Sequence, residues 1–242
     1  MGQKNRNKKP KPKPQNAYSS KPKQSSNKGL IWLTLIIAAV VVVIVLGINN
    51  QNKPVSFDYD KYAMTGSENA PVKIVEFGNF KCPICSTFAT EVKPQLAADY
   101  IDSGKVAFYY INFSNFLGED AYTAALAAQA VYRQNEEAFW DYYDILFKNQ
   151  QDEYSTWATP DYLVELAREA KLPIDYDQLR KDIDNKTYND EIDAQNDLTR
   201  PFGVTGTPTF FINGEMYKGS PVDYAGFKNE IEKALNESAN KE

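Results

Sequence analysis

Leu30 to Ile48 is a run of 19 residues without one charged side chain, and it decides how the rest of the chain is arranged. At ~1.5 Å per residue a helix of this length spans roughly 28 Å, close to the hydrocarbon thickness of a bilayer. A secretory h-region is shorter and ends in a small-residue cleavage site. Here the run continues into Asn49, Asn50, Gln51 and Asn52. The expectation is one uncleaved transmembrane signal anchor over 30–48. A buried core helix is the competing reading, but core helices rarely lack polar residues for so long. Residues 1–29 hold nine Lys or Arg and no acid, and the first acidic residue is Asp58. The positive-inside rule then puts the N-terminus in the cytoplasm and everything after the anchor outside, on a single-pass cell-membrane protein. Lysine and proline alternate from Lys9 to Pro14, so 1–29 reads as a basic, disordered tail.

Beyond the tail the balance reverses to 18 basic against 32 acidic residues. An acidic folded part gives no reason to expect a nucleic-acid partner. The chain has no histidine, which removes imidazole bases, Ser-His-Asp triads and imidazole metal ligands. Its two cysteines cannot supply the four ligands of a structural zinc, and no metal is expected. The acidic stretch Asp182 to Asp197 does not fit an EF-hand, because Lys186 occupies a ligand position; it reads as a solvated helix face.

Residues 49–69 read as a polar linker with weak structure. Val72 to Phe77 is β-rich after Pro71, and Val106 to Phe113 is a second strand. Between them Phe88, Val92, Leu96 and Tyr100 recur every four residues, a helical stripe ending at Ser103-Gly104, with Pro94 positioned to kink it. Strand, helix and strand in this order imply a parallel pair. From 119 to 198 the chain reads as helices, among them an Ala-rich one from Ala121 and one opening at Thr159-Pro160. Thr209 to Gly214 returns to strand character, Asn213-Gly214 is a hairpin signal, and Pro221 to Leu235 closes as an amphipathic helix.

Cys82 and Cys85 stand three residues apart where the first strand gives way to the helix. At a helix start the outer sulfur meets unpaired N–H groups and the positive end of the dipole, which favour its thiolate. Cys82 is therefore the expected nucleophile, with Cys85 one turn in as the resolving thiol. Pro83 suits the first turn, where its missing N–H is no loss. Other readings are a zinc half-site completed by another chain, two core cysteines, and a structural disulfide, although a loop this small stabilises weakly.

The segment Val75 to Phe88, with Cys82-Pro83-Ile84-Cys85 inside it, resembles the active-site region of the DsbA family of thioredoxin-fold disulfide oxidoreductases. It is most similar to the membrane-anchored, BdbD-like branch of Gram-positive bacteria. Gly206 to Gly214 (GTPTFFING) resembles the family's second signature, and Phe139 to Phe147 its helical insertion. The resemblance implies an α/β, thioredoxin-like fold with an inserted helical domain, preceded by the transmembrane helix. Residues 70–118 and 199–242 would form the thioredoxin-like part and 119–198 the insertion. The 123 residues between Cys85 and Pro208 fit such an insertion.

Carried over by position, Pro208 is the cis-proline facing the dithiol, and Thr207 offers backbone to an extended substrate peptide beside Pro83 and Ile84. An ordinary trans proline opening a strand is the alternative. Glu76 matches the family's buried acid, able to exchange a proton with Cys85; a solvent-facing strand residue is the alternative. Lys81 reads as a solvated lysine beside Cys82. Isoleucine stands at position 84, where the best-known relative has a histidine that helps hold the thiolate, so a weaker oxidant is expected.

The function implied is introduction of disulfides into newly exported proteins carrying free thiols, by a monomer that needs no cofactor beyond the Cys82–Cys85 disulfide. A quinone-coupled integral-membrane partner would reoxidise it. A reductase of the same fold, and a non-redox binding or chaperone module with an inert cross-link, are the alternatives.

Overall fold

The computed structural model describes residues 28–51 and 54–240, without the side chains of 28–31 and 44–51. The chain divides into two units, Met1–Gln51 and Asn52–Glu242. In the first, α1 (Lys28–Gln51) is helical throughout the uncharged run. Among the described residues no helix is long and apolar enough to cross a membrane. The expected basic tail, up to residue 27, lies outside the described residues.

The second unit is built on a five-stranded sheet in the order β1-β3-β2-β4-β5. Its strands are β1 (Ala63–Gly66), β2 (Val72–Gly78), β3 (Val106–Asn112), β4 (Thr209–Ile212) and β5 (Glu215–Met216). β2 and β3 are parallel, as the strand-helix-strand order requires. β4 joins β2 antiparallel, with Glu76 opposite both Tyr110 and Phe210. The hairpin to β5 turns on Asn213 and Gly214, both in the left-handed region at φ 48° and 82°. Gly214 has a further reason to be glycine, since a Cβ there would lie 2.2 Å from the Val55 carbonyl oxygen.

Strand alternation sorts the core. Val75, Phe77, Tyr109, Ile111 and Phe211 pack on one face, joined by Phe57 and Tyr62. Ile74, Phe108, Phe210 and Ile212 pack on the other, against the helix after β2 and against α9 (Tyr224–Ala239). The stretch read as a weakly structured linker is thus corrected in part. β1 pairs antiparallel with β3, and the aromatic rings just before it are needed to cover the sheet.

The helix after β2 comprises α2 (Pro83–Thr87), a wide turn over Phe88–Val92, α3 (Lys93–Leu96), and a second wide turn over Ala97–Ile101. Pro94 does not break it. The Lys93 amide reaches back five residues to the Phe88 carbonyl, a π-type bond that makes room for the ring. The same turns explain the four-residue spacing. In a regular α-helix that spacing drifts by ~40° per step. Two wider turns take up the drift and leave Phe88, Val92, Leu96 and Tyr100 all buried on the sheet.

Between β3 and β4 lie α4 (Glu119–Gln134), α5 (Glu136–Lys148), α6 (Pro160–Glu169), α7 (Tyr176–Asp184) and α8 (Asn189–Asp197). Asn135, Thr159 and Asp175 cap α5, α6 and α7 through their side chains. The alanines of α4 are buried and let its neighbours approach closely. The acidic stretch from Asp182 is not simply a solvated face. Asp182 is buried and accepts from Gln178 and Thr187, while Gln195 and Asn196 turn inward to bind the end of β3.

Candidate active site

Cys82 stands at the N-cap of α2 with extended backbone, and Pro83 takes the first helical position. The loop leading to it is held by Asn79, whose Oδ1 accepts from the Lys81 amide and whose Nδ2 donates to the carbonyls of Phe113 and Phe116. Cys82 is largely buried, Cys85 completely so, and both are thiols. Pro83 and Ile84 are exposed, Ile84 by 47 %. The sulfur that an incoming group can reach is therefore Cys82, at the edge of a small apolar surface.

Opposite lies the loop before β4. The Thr207–Pro208 peptide is cis, and the Thr207 carbonyl oxygen accepts from Cys82 Sγ at 3.3 Å. Residues 125 positions apart thus meet at the dithiol.

The two thiols have opposite electrostatics. Cys82 is brought down to about 6, chiefly by a hydrogen bond from the Cys85 thiol. The Thr207 hydroxyl and the amides of Cys85 and Ile84 add to this, against the cost of partial burial. In the thiol form that hydroxyl is buried and has no hydrogen-bond partner, which leaves it able to turn to the thiolate. The helix-end amides expected from the sequence do contribute, but the neighbouring thiol contributes more. Cys85 is pushed well above an ordinary thiol, first by burial, then by its bond to Cys82 and by the nearby Glu76.

Glu76 lies fully buried on β2 beneath this pair. Its Oε2 accepts from Tyr143 Oη of α5 at 2.8 Å, while its Oε1 and the buried Tyr110 Oη have no hydrogen-bond partner. Burial raises the carboxyl to about 8, against the opposing pull of the Tyr143 hydrogen bond and the Lys93 charge. A carboxyl at that level, beside a thiol that resists ionisation, is equipped to give or take one proton near neutral pH.

Lys81 is corrected: it is not solvated but 2 % exposed. Its Nζ donates to Asp120 Oδ1 at 2.7 Å and to the Ser155 carbonyl at 3.0 Å, while Asp120 Oδ2 accepts from the Trp157 and Ala158 amides. The helical insertion closes over the loop and removes the lysine from water. Sequence reasoning also missed Gln150, whose Nε2 donates to the carbonyls of Phe80 and Cys82. No local pattern marks it, because its partners lie about seventy residues away.

A dithiol capping the helix of a βαβ unit, across from a cis-proline in the loop before the adjoining strand, is the arrangement of thioredoxin-fold thiol–disulfide chemistry. The Thioredoxin family model matches residues 60–233. Probable disulfide bond formation protein D of Bacillus cereus is 37 % identical over 179 residues, 74 % of this chain and 81 % of that protein. Disulfide bond formation protein D of Bacillus subtilis is 35 % identical over 170 residues, 70 % of this chain and 75 % of that one. The crystal structure of oxidised BdbD from Bacillus subtilis superposes with a TM-score of 0.72 at 32 % identity, covering 76 % of this chain and 98 % of that one. Chlamydia trachomatis DsbA, at 22 % identity and a TM-score of 0.64, shares the fold, over 78 % of this chain and 96 % of that one. The chain belongs to the DsbA-like family of thioredoxin-fold protein thiol-disulfide oxidoreductases, together with disulfide bond formation protein D.

Proposed function

We propose that this chain is an extracytoplasmic disulfide oxidase, tethered by Leu30 to Ile48, that passes the Cys82–Cys85 disulfide to exported proteins with free thiols. The observation that carries the reading is the asymmetry of the pair: Cys82 at about 6, Cys85 far higher. A dithiol whose outer member is a stable thiolate favours its own reduced form and so oxidises others.

The reaction runs through a mixed disulfide. A substrate thiolate attacks Cys82 Sγ, the Cys82–Cys85 bond breaks, and Cys85 leaves with the bonding pair. Neutral Glu76 protonates it. The substrate's second thiolate then attacks its own sulfur in the mixed disulfide, and Cys82 leaves as thiolate. The substrate loses two electrons and the dithiol gains them. Thr207 and Pro208 present backbone to the substrate beside Pro83 and Ile84. Reoxidation falls to a quinone-coupled integral-membrane partner, which a monomeric tethered domain reaches readily. The nine cations of residues 1–29 support the tail-inside orientation at the cell membrane.

Equilibrating the full chain with glutathione buffers tests this. A potential well above the ~−270 mV of thioredoxin is expected. A lower one would make the protein a reductase, the reading favoured by the uncharged Ile84 between the cysteines. Cys82→Ser is expected to abolish oxidation of a reduced substrate, and Cys85→Ser, offered a substrate disulfide that its Cys82 thiolate attacks with release of one substrate thiolate, to accumulate the mixed disulfide. Full activity of Cys82→Ser would overturn the assignment.

A further inference from the structure

Cys85, Ala89 and Lys93 follow one another at four-residue intervals and are all buried. They form a second stripe on the helix after β2, facing the insertion rather than the sheet. Lys93 is the anomaly, a buried ammonium two turns from the inner thiol. The wide turn over Phe88–Val92 ends on it. Its Nζ lies 4.8 Å from the centre of the Tyr143 ring and 5.2 Å from that of Trp140, and pairs with the exposed Asp144 at 2.8 Å. On the far edge of the same Tyr143 ring, the hydroxyl donates to Glu76 at 2.8 Å. One aromatic side chain thus touches both the cation and the carboxyl.

We propose that Lys93 is a positioning residue for Glu76, acting through the Tyr143 ring to keep the carboxyl beneath Cys85 able to exchange its proton. A cation over an aromatic face draws on the ring's electrons, and linked hydrogen bonds polarise one another, so the phenol becomes a better donor to the carboxylate. Burial alone would hold Glu76 neutral and make it a fixed acid. The Lys93 charge opposes that and brings the ionised form within reach. The other titratable groups facing Glu76 are Cys82 and Cys85 from the helix start, Tyr110 from β3 and Tyr143 from α5. Among the described residues Lys93 is the one cation acting on Glu76.

The inference rests on the dithiol being the working redox centre, but its test involves no turnover, so a low reduction potential would defeat the proposed function and leave this result standing. The probe is the carboxyl carbon of Glu76, in full chain carrying ¹³C-labelled glutamate, assigned by its loss in Glu76→Gln and titrated by NMR in the oxidised state. Lys93→Met is expected to move the Glu76 midpoint upward by about 1 pH unit, the low end of the effect of a nearby opposite charge. Lys93→Arg is expected to hold it near the parent value. A lysine that only packs would change the melting temperature and leave the midpoint unmoved, which would overturn the proposal. Should Lys93→Met not fold, Asp144→Asn decides. It frees Lys93 of its counter-charge and is expected to lower the midpoint, and an unchanged or raised one would overturn the proposal.

Discussion

Tyr143 reaches from the helical insertion to Glu76 on the central strand with a 2.8 Å hydrogen bond. The carboxyl beneath the dithiol is therefore set by a residue that a bare thioredoxin sheet would not contain. The insertion is part of the site's electrostatics as well as its cover.

Glu76 is expected to destabilise the native state at neutral pH. Its ordinary carboxyl value is 4.5 and its folded value about 8. Between those values the native chain keeps a proton that the unfolded chain has lost, so stability falls as pH rises through this window. Glu76→Gln does not ionise and still accepts from Tyr143. It is expected to exceed the parent by about 2–3 kcal/mol at pH 7. Near pH 4 the gain disappears. Urea midpoints at the two pH values check this, and an equal difference at both would contradict it.

Cys82 is expected to react with iodoacetamide along a curve with its midpoint near pH 6, because only the thiolate attacks. The largest cause is the hydrogen bond from Cys85. Cys85→Ala is therefore expected to move the midpoint up by roughly one unit. A midpoint that stays in place would assign the thiolate to the helix amides instead.

Gly78 ends β2 just above the dithiol floor. A Cβ there would lie 2.3 Å from Cε2 of Tyr110, which is buried and packed against Phe80 and Tyr143. Gly78→Ala is expected to cost about 1–3 kcal/mol, since the ring has no free space to enter. Tyr110→Leu in the same background is expected to recover part of the loss, measured by urea denaturation.

What could be read from the sequence was what neighbours in the chain decide. Cys82 at a strand-to-helix junction, Asn213-Gly214 in a hairpin, and Thr159 before Pro160 each carry their reason within a few residues. Cys82 and Thr207 became a pair only through a family resemblance, since nothing local joins residues so far apart. Lys81, Lys93, Tyr143 and Gln150 stayed illegible for the same reason. Each looks like an ordinary surface or core residue until the insertion folds back onto the helix after β2. β1 was missed because four residues, Ala63 to Gly66, carry little periodicity, and their strand form depends on β3, more than forty residues later.

Lys81 and Asp120 give the sharpest test of how the insertion is fastened to the loop carrying Cys82. Both are nearly out of solvent and 2.7 Å apart, and Asp120 also receives two amides from the segment between α5 and α6. Removing one member of such a pair leaves a buried charge uncompensated, at about 3–5 kcal/mol. Lys81→Met is expected to lose stability on this scale, because Asp120 keeps its charge and its two amides but no cation. Adding Asp120→Asn removes the stranded charge while leaving an amide oxygen to accept from Trp157 and Ala158. The double variant is therefore expected to be more stable than Lys81→Met alone, although one of the two changes is itself a loss in the parent. Denaturation of the four proteins of this cycle at pH 7 reads the coupling directly. Simple addition of the two losses would show that the ion pair does not fasten the insertion, and that Asp120 acts through its backbone contacts alone.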